Sequence, residues 1–182
     1  EKYLAWPRRL RQLKDGRLLS VWGVARKPAD SLTRIEFNQL VEPLLLVSND
    51  DGKTWSDPIE VVHESQRLGW TEEFDAAELP NGDLLCMFRR AEGAQRWQSI
   101  LKKAGSTWAG GKSETCALPQ SGQPELLSTR EGPILHVATS GIHWTNDSGQ
   151  SWHKLAVPET MYYPRVVQTE EGRLFVFGHV GG

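Results

Sequence analysis

Four times along the chain an apolar or alternating stretch runs into a polar pair ending in glycine and then into a second apolar run. The stretches read "RRLRQLKDGRLLSVW" around Gly16, "FDAAELPNGDLLCMF" around Gly82, "PELLSTREGPILHVA" around Gly132 and "PRVVQTEEGRLFVFG" around Gly172. Strand, tight turn with glycine at a positive-φ position, strand: the pattern predicts four β-hairpins. In three of the four units a second pattern follows the hairpin: "SNDDGKTW" (Ser48 to Trp55), "LKKAGSTW" (Leu101 to Trp108) and "TNDSGQSW" (Thr145 to Trp152). The middle copy carries Lys103 where the others carry Asp50 and Asp147. The hairpin glycines lie 66, 50 and 40 residues apart, which is the range of a four-stranded propeller blade. The long first unit holds an insertion, "VARKPADSLTRIEFNQLVEP", and no amphipathic helical period stands out anywhere. The prediction is an all-β partial propeller of about four units, over 3–65, 70–118, 120–158 and an incomplete 159–182.

The residue types in the Trp-terminated stretches suit a turn. Asp50 and Asp147 accept hydrogen bonds from the backbone N–H groups of the turn each begins. Gly52 and Gly149 take the conformation a Cβ forbids, and Trp55 and Trp152 offer a large plate to pin the turn to its sheet. These aspartates are needed by the turn, which sets them aside as catalytic candidates.

Composition narrows the function classes. A formal net charge of −2 with interspersed signs provides neither a basic stripe for nucleic acid nor a polybasic segment for a membrane surface. No apolar run approaches the roughly 20 residues that span a bilayer. The five histidines are scattered without ligand-like spacing, so neither a metal nor another cofactor is expected. Cys86, inside "LLCMF", reads as a small buried hydrophobe, and a disulfide to Cys116 stays open. The chain begins without methionine and stops just after a strand, which suggests a piece of a longer protein.

The pattern S/T-x-D-x-G-x-S/T-W is the Asp box, or bacterial neuraminidase repeat, and with it the chain resembles the sialidase superfamily. The resemblance implies a six-bladed β-propeller, of which about four blade-like units are here. Two blade faces would then stay uncovered, which predicts marginal stability or self-association. It also implies a glycan substrate, a secreted or periplasmic location and a site at the propeller centre. A sugar carrying a carboxylate asks for arginines to clamp it, a tyrosine nucleophile polarised by a glutamate, and an aspartate as acid and then base.

Aligned on the hairpin glycines, the position seven residues earlier is Arg9, Asp75, Glu125 and Arg165, charged in every unit. Four charges in register favour a channel-lining, substrate-binding ring over solvated strand ends. "AWPRRLRQL" is similar to the family's opening arginine strand, and register selects Arg9. "VARKPAD" resembles the loop that brings a second arginine and the acid/base, implying Arg26 and Asp30; an ordinary loop aspartate is the alternative. "EEFDAAELPNGDLLCMFRR" resembles the segment that supplies the tyrosine's partner and another clamp arginine, implying Glu73 and Arg89. "YYPR" sets Tyr163 in the same register as Glu73, where the resemblance would have a nucleophile begin an inner strand. Because the family's order places that tyrosine in a later blade, a packing or binding tyrosine is the favoured reading and the nucleophile of an altered site the other. The functions in competition are a sialidase-like glycoside hydrolase, a non-catalytic propeller that binds carbohydrate or protein, and a hydrolase for a different acidic sugar.

Overall fold

A computed structural model of the chain describes residues 4–25, 33, 36, 40–62, 70–90, 93–157 and 162–179. Among the described residues, fifteen strands form four antiparallel sheets in chain order. The first sheet runs β1 (Leu4–Gln12), β2 (Leu18–Ala25), β3 (Val41–Ser48), β4 (Ile59–Glu60). The second runs β5 (Trp70–Glu78), β6 (Leu84–Arg90), β7 (Gln95–Ala104), with β8 (Thr107–Ala109) and β9 (Ser113–Pro119) both on β7. β8 pairs with Lys102–Ala104 and β9 with Gln95–Ser99, so two short strands share the fourth position. The third sheet is β10 (Glu125–Ser128), β11 (Ile134–Ala138), β12 (Gly141–Thr145), β13 (His153–Lys154); the fourth is β14 (Tyr162–Gln168) and β15 (Leu174–His179). All-β architecture is the outcome that the hairpin pattern predicts.

The first two strands of each sheet are joined by the same turn. Gly16, Gly82, Gly132 and Gly172 donate their N–H to the carbonyls of Leu13, Leu79, Thr129 and Thr169 at 2.9, 3.0, 3.2 and 3.0 Å. Each turn is closed by a flanking backbone bond such as Leu13 N–H to Arg17 O at 2.8 Å. With φ of +89°, +86°, +113° and +83°, the glycines occupy the left-handed position that follows a tight turn in a three-residue hairpin loop.

The sheets stack face to face, and β6 explains why its sequence shows no alternation. Leu84, Cys86 and Phe88 pack with Leu19, Val21, Leu45 and Val47 of the first sheet. Leu85 and Met87 point the other way, against Leu126 and Ile134 of the third. A strand buried on both faces has no polar side to display. A thinner core joins the third and fourth sheets through Leu135, Val137, Ile142 and Val166. Between the first and second sheets the backbones touch at Gly110, where a Cβ would stand 2.7 Å from the carbonyl oxygen of Glu60.

The Ser48–Trp55 and Thr145–Trp152 turns, between the third and fourth strands of their sheets, share one hydrogen-bond set. Asp147 Oδ1 accepts from Ser151 N–H at 2.9 Å and from Thr145 Oγ1 at 2.7 Å, and Thr145 Oγ1 accepts from Gly149 N–H at 3.0 Å. Asp50, Thr54, Ser48 and Gly52 repeat it at 2.8 Å in each bond. Ser151's hydroxyl and N–H, then Thr145's hydroxyl, lower the Asp147 pKa to about 2. Trp152 packs against the second core, whereas Trp55 is 39% exposed and pins less than the pattern suggests. In the middle copy, Asp83 of the preceding hairpin takes the missing aspartate's place, accepting from Lys103 N–H at 2.9 Å and Lys102 Nζ at 2.8 Å.

The regular elements of the described residues are all strands. In the insertion, Glu36 and Leu40 have helical backbone geometry. Thr33 Oγ1 accepts from Glu36 N–H at 3.3 Å while the Glu36 carboxylate accepts from Thr33 N–H at 2.8 Å. This reciprocal cap is signalled by T-x-x-E and not by hydrophobic periodicity. Cys86 and Cys116 are both free and buried, so no disulfide joins them; burial raises both thiols, Cys86 well above its usual range.

Candidate active site

β1, β5, β10 and β14 each begin their sheet, and their side chains meet in two layers. The layer seven residues before the hairpin glycines is one ionic cluster. Arg9 Nε lies 3.8 Å from Asp75 Oδ2, and the Arg9 guanidinium pairs with Glu125. Arg165 Nη1 stands 3.5 Å from Glu125 Oε2. Arg11, two residues along β1 and so on the same face, pairs with Asp75 and stands 3.6 Å from Glu125. Asp75 is wholly buried, and its oxygens also accept from the N–H groups of Ala76 at 2.8 Å and Leu126 at 2.7 Å. Burial, then the Asp75 charge, raises the Glu125 pKa against the pull of Arg11, Arg9 and Arg165. Burial followed by repulsion from Arg9 lowers that of Arg165.

Two residues farther from the turns lies the second layer. Tyr163 Oη donates to Glu73 Oε1 at 2.5 Å, and Arg89 Nη1 donates to Glu73 Oε2 at 2.6 Å. One carboxylate thus bridges a phenol from β14 and a guanidinium from β6. Tyr163 reaches this position through a bulge between Tyr162 and Arg165, with an unusual φ of +46°. Register also breaks between Pro7 and Arg9 of β1 and between Trp70 and Phe74 of β5. Bulges re-aim side chains and favour the edges of sites, and a non-glycine residue at positive φ is strain that its surroundings must hold. Burial, then the hydrogen bond and charge of Glu73, raises the Tyr163 pKa to about 12. Burial opposes the Arg89 charge, but the bond and charge of Glu73 overcome it and raise its pKa. At neutral pH the phenol keeps its proton, and the acceptor placed to receive it is Glu73.

A third component comes from β7. Arg96 is fully buried, donates from Nη2 to Ser121 O at 2.6 Å, and among the described residues leaves Nε and Nη1 without a hydrogen-bond partner. A Cβ added to the next residue, Gly122, would lie 3.6 Å from Thr139 Oγ1 and 3.9 Å from the Tyr163 ring. Arg96 is absent from the sequence expectations, as is Arg11. The signal for Arg96 is an arginine in phase with Gln98 and Ile100 on one face of β7; for Arg11 it is the i, i+2 spacing from Arg9.

The structure therefore brings Arg9, Asp75, Glu125 and Arg165 together in one layer and Glu73, Arg89 and Tyr163 in the next. Arg26 and Asp30 lie outside the described residues. Among the described residues, the first layer sets three arginines against two carboxylates, and Arg89 of the second layer with the buried Arg96 stands against Glu73, so each set sums to one positive charge. Among the described residues no group of His, Cys, Asp and Glu has the arrangement of a metal site, and no helix is long and apolar enough to cross a membrane.

No family model matches the sequence, and no curated protein matches it. Solved structures do match in fold. An α-L-arabinofuranosidase from Fusarium graminearum, in complex with an iminosugar inhibitor, superposes with a TM-score of 0.66 at 15% identity over 92% of this chain and 50% of its own. A protein of unknown function from Dyadobacter fermentans gives 0.61 at 19% identity over 92% and 47%. A Hadza microbial sialidase gives 0.54 at 16% over 90% and 37%. The chain spans about half the length of the first two. At these identities the likeness is one of fold: the four sheets are blade-like units of a β-propeller of the type found in glycosidases.

Proposed function

We propose that this chain carries part of the active site of a retaining glycoside hydrolase of the sialidase type, releasing a terminal acidic sugar from glycoconjugates. The observation that carries the reading is the Tyr163–Glu73 bond at 2.5 Å, with Arg89 on the other carboxylate oxygen. A phenol with its pKa raised to about 12 is a poor nucleophile until its proton moves, and Glu73 is in bonding distance to accept it. Tyr163 Oη then bonds to the anomeric carbon as the bond to the leaving oxygen breaks, and Asp30 gives that oxygen its proton. Water, deprotonated by Asp30, cleaves the glycosyl–tyrosine bond, and Glu73 returns its proton to Tyr163. A tyrosine that is neutral at rest and gains negative charge only as its proton moves suits a sugar whose anomeric carbon bears a carboxylate, since a permanently charged carboxylate nucleophile would be repelled. The net positive charge of both sets supports an acidic substrate. Arg9, Arg26, Arg89 and Arg165 are the candidates to meet its carboxylate, with Asp75 and Glu125 holding the first and last in place.

A second reading has an observation of its own. Arg9, Arg11 and Arg165 are already paired with Asp75 and Glu125, which favours a sugar that makes no demand on them, such as a neutral furanoside.

The test is fluorophore release from three glycosides, of sialic acid, a uronic acid and α-L-arabinofuranose, by the protein and its Tyr163→Phe, Glu73→Gln and Asp30→Ala variants. The expected result is release of sialic acid, reduced about a thousandfold or more by Tyr163→Phe. Release of arabinose alone moves the reading to the neutral sugar. Undiminished turnover in Tyr163→Phe ends the tyrosine mechanism.

A further inference from the structure

The charge on Arg96 is wholly buried, and two of its nitrogens have no hydrogen-bond partner among the described residues. Removing a guanidinium from water costs several kcal/mol unless its charge is answered nearby, and a buried polar group left unmet calls for an explanation. Its one hydrogen bond among the described residues, to Ser121 O, holds the residue before Gly122, where an added Cβ would reach within 3.9 Å of the Tyr163 ring. Burial, the largest influence, lowers its pKa to about 10; after it come the charges of Glu73, which holds the cation, Arg89, which opposes it, Cys116 and Tyr163.

We propose that Arg96 is a positioning residue for the Tyr163–Glu73 pair: through Ser121 and Gly122 it seats the phenol, and its buried charge stabilises the anion formed on Tyr163 Oη when the proton crosses to Glu73. This rests on reading Tyr163 and Glu73 as the reacting pair. The transfer leaves total charge unchanged but moves the negative charge from a carboxylate already bonded to Arg89 onto a half-buried phenol. A fixed cation in a dry site meets that displaced charge without having to reorganise. Full burial keeps Arg96 from touching substrate, which separates its part from that of a clamp arginine. Tyr163 bonds Glu73 of β5, feels the charge of Arg89 of β6, and meets Tyr162 on its own strand with ring centroids 4.5 Å apart; Arg96 of β7 reaches it through Ser121 and Gly122. His136 of β11 is buried, and burial and then the Arg96 charge hold it well below its usual pKa. A neutral His136 leaves the positive charge to the two arginines.

The chain has three tyrosines, so the ionisation can be followed directly. With 3,5-difluorotyrosine in place of tyrosine, whose more acidic phenol titrates in an accessible range, Tyr163 is assigned in the fluorine spectrum by its loss in Tyr163→Phe. Arg96→Met should raise its midpoint by about one unit, and Arg96→Lys should restore most of that shift. The acid limb of sugar release should move upward with it. A midpoint unchanged in Arg96→Met, or shifted equally in Arg96→Lys, overturns the proposal and leaves Arg96 a packing residue. Should Arg96→Met not fold, the carbon signal of the Arg96 guanidinium in the unsubstituted chain decides: it follows the Tyr163 titration if the two are coupled and stays flat if they are not. Full turnover in Tyr163→Phe would remove the tyrosine mechanism while the titration still decided the coupling.

Discussion

Asp147 and Tyr163 show how single residues here are governed by what they bond to. Asp147 is tied to its turn by Ser151 and Thr145, which lower its pKa from 3.8 to about 2. A depressed folded-state pKa contributes stability that is present above the unfolded value and lost as pH falls through the folded one. Unfolding midpoints measured in urea should therefore fall between about pH 4 and pH 2, with a shallower slope in Asp147→Asn. Asp50, Asp15 and Asp83, also lowered by their hydrogen bonds, keep the slope from vanishing. Thr145 is fully buried, and its hydroxyl is the acceptor for Gly149 N–H. Thr145→Val, nearly isosteric, should cost about 1–3 kcal/mol by leaving that donor unmet, measured as a shift in the same urea midpoint at neutral pH. That these aspartates serve turns was legible in the motif, because Asp, Gly and Ser/Thr at fixed offsets act within a few residues of chain. Tyr163 is different: its partner Glu73 is 90 residues away, and spacing alone leaves its role open between packing and chemistry.

At the scale of the element, β6 and β15 have similar apolar sequences and opposite fates. "LLCMF" is buried on both faces, while in "LFVFGH" Leu174, Phe175 and Phe177 are 43%, 54% and 52% exposed. Leu84→Ala and Leu85→Ala, on opposite faces of β6, should each destabilise by about 2–5 kcal/mol. Phe175→Ser should stay within about 0.5 kcal/mol. Urea unfolding of the three variants checks the contrast, and equal losses at all three positions would contradict the burial described. The inner strands teach a related lesson. Their hairpins could be counted from the sequence because each turn needs its glycine, and four charges in register could be seen seven residues before it. The bulges in β1, β5 and β14 leave no such mark, since an extra residue is set by how neighbouring strands fit. The reciprocal Thr33–Glu36 cap lay in plain view as T-x-x-E, yet a search for periodicity passes over it.

For the whole molecule the decisive feature is that sheets stabilise one another in sequence, first on second, second on third, third on fourth. On β14 and β15, Val166 and Val176 face the third sheet, while Val167, Phe175 and Phe177, neighbours across the strand pair, lie 48–54% exposed on the other side. An exposed apolar sheet face favours association. Sedimentation should show a concentration-dependent average mass that falls toward the monomer in a Phe175→Ser, Phe177→Ser double variant; a monomer at every concentration in the parent would contradict this.

The sequence by itself determined the strands, their pairing into hairpins and the turns that join them, because hydrophobic alternation, positive-φ glycines and self-bonded aspartates are properties of short segments. It also put Arg9, Asp75, Glu125 and Arg165 in one register. Only the tertiary structure decided which charges neutralise one another, that Arg11 and Arg96 join them, and that Tyr163 meets Glu73. Those outcomes depend on distances between side chains far apart in the chain, which are set only when the sheets pack against one another and bring their first strands together.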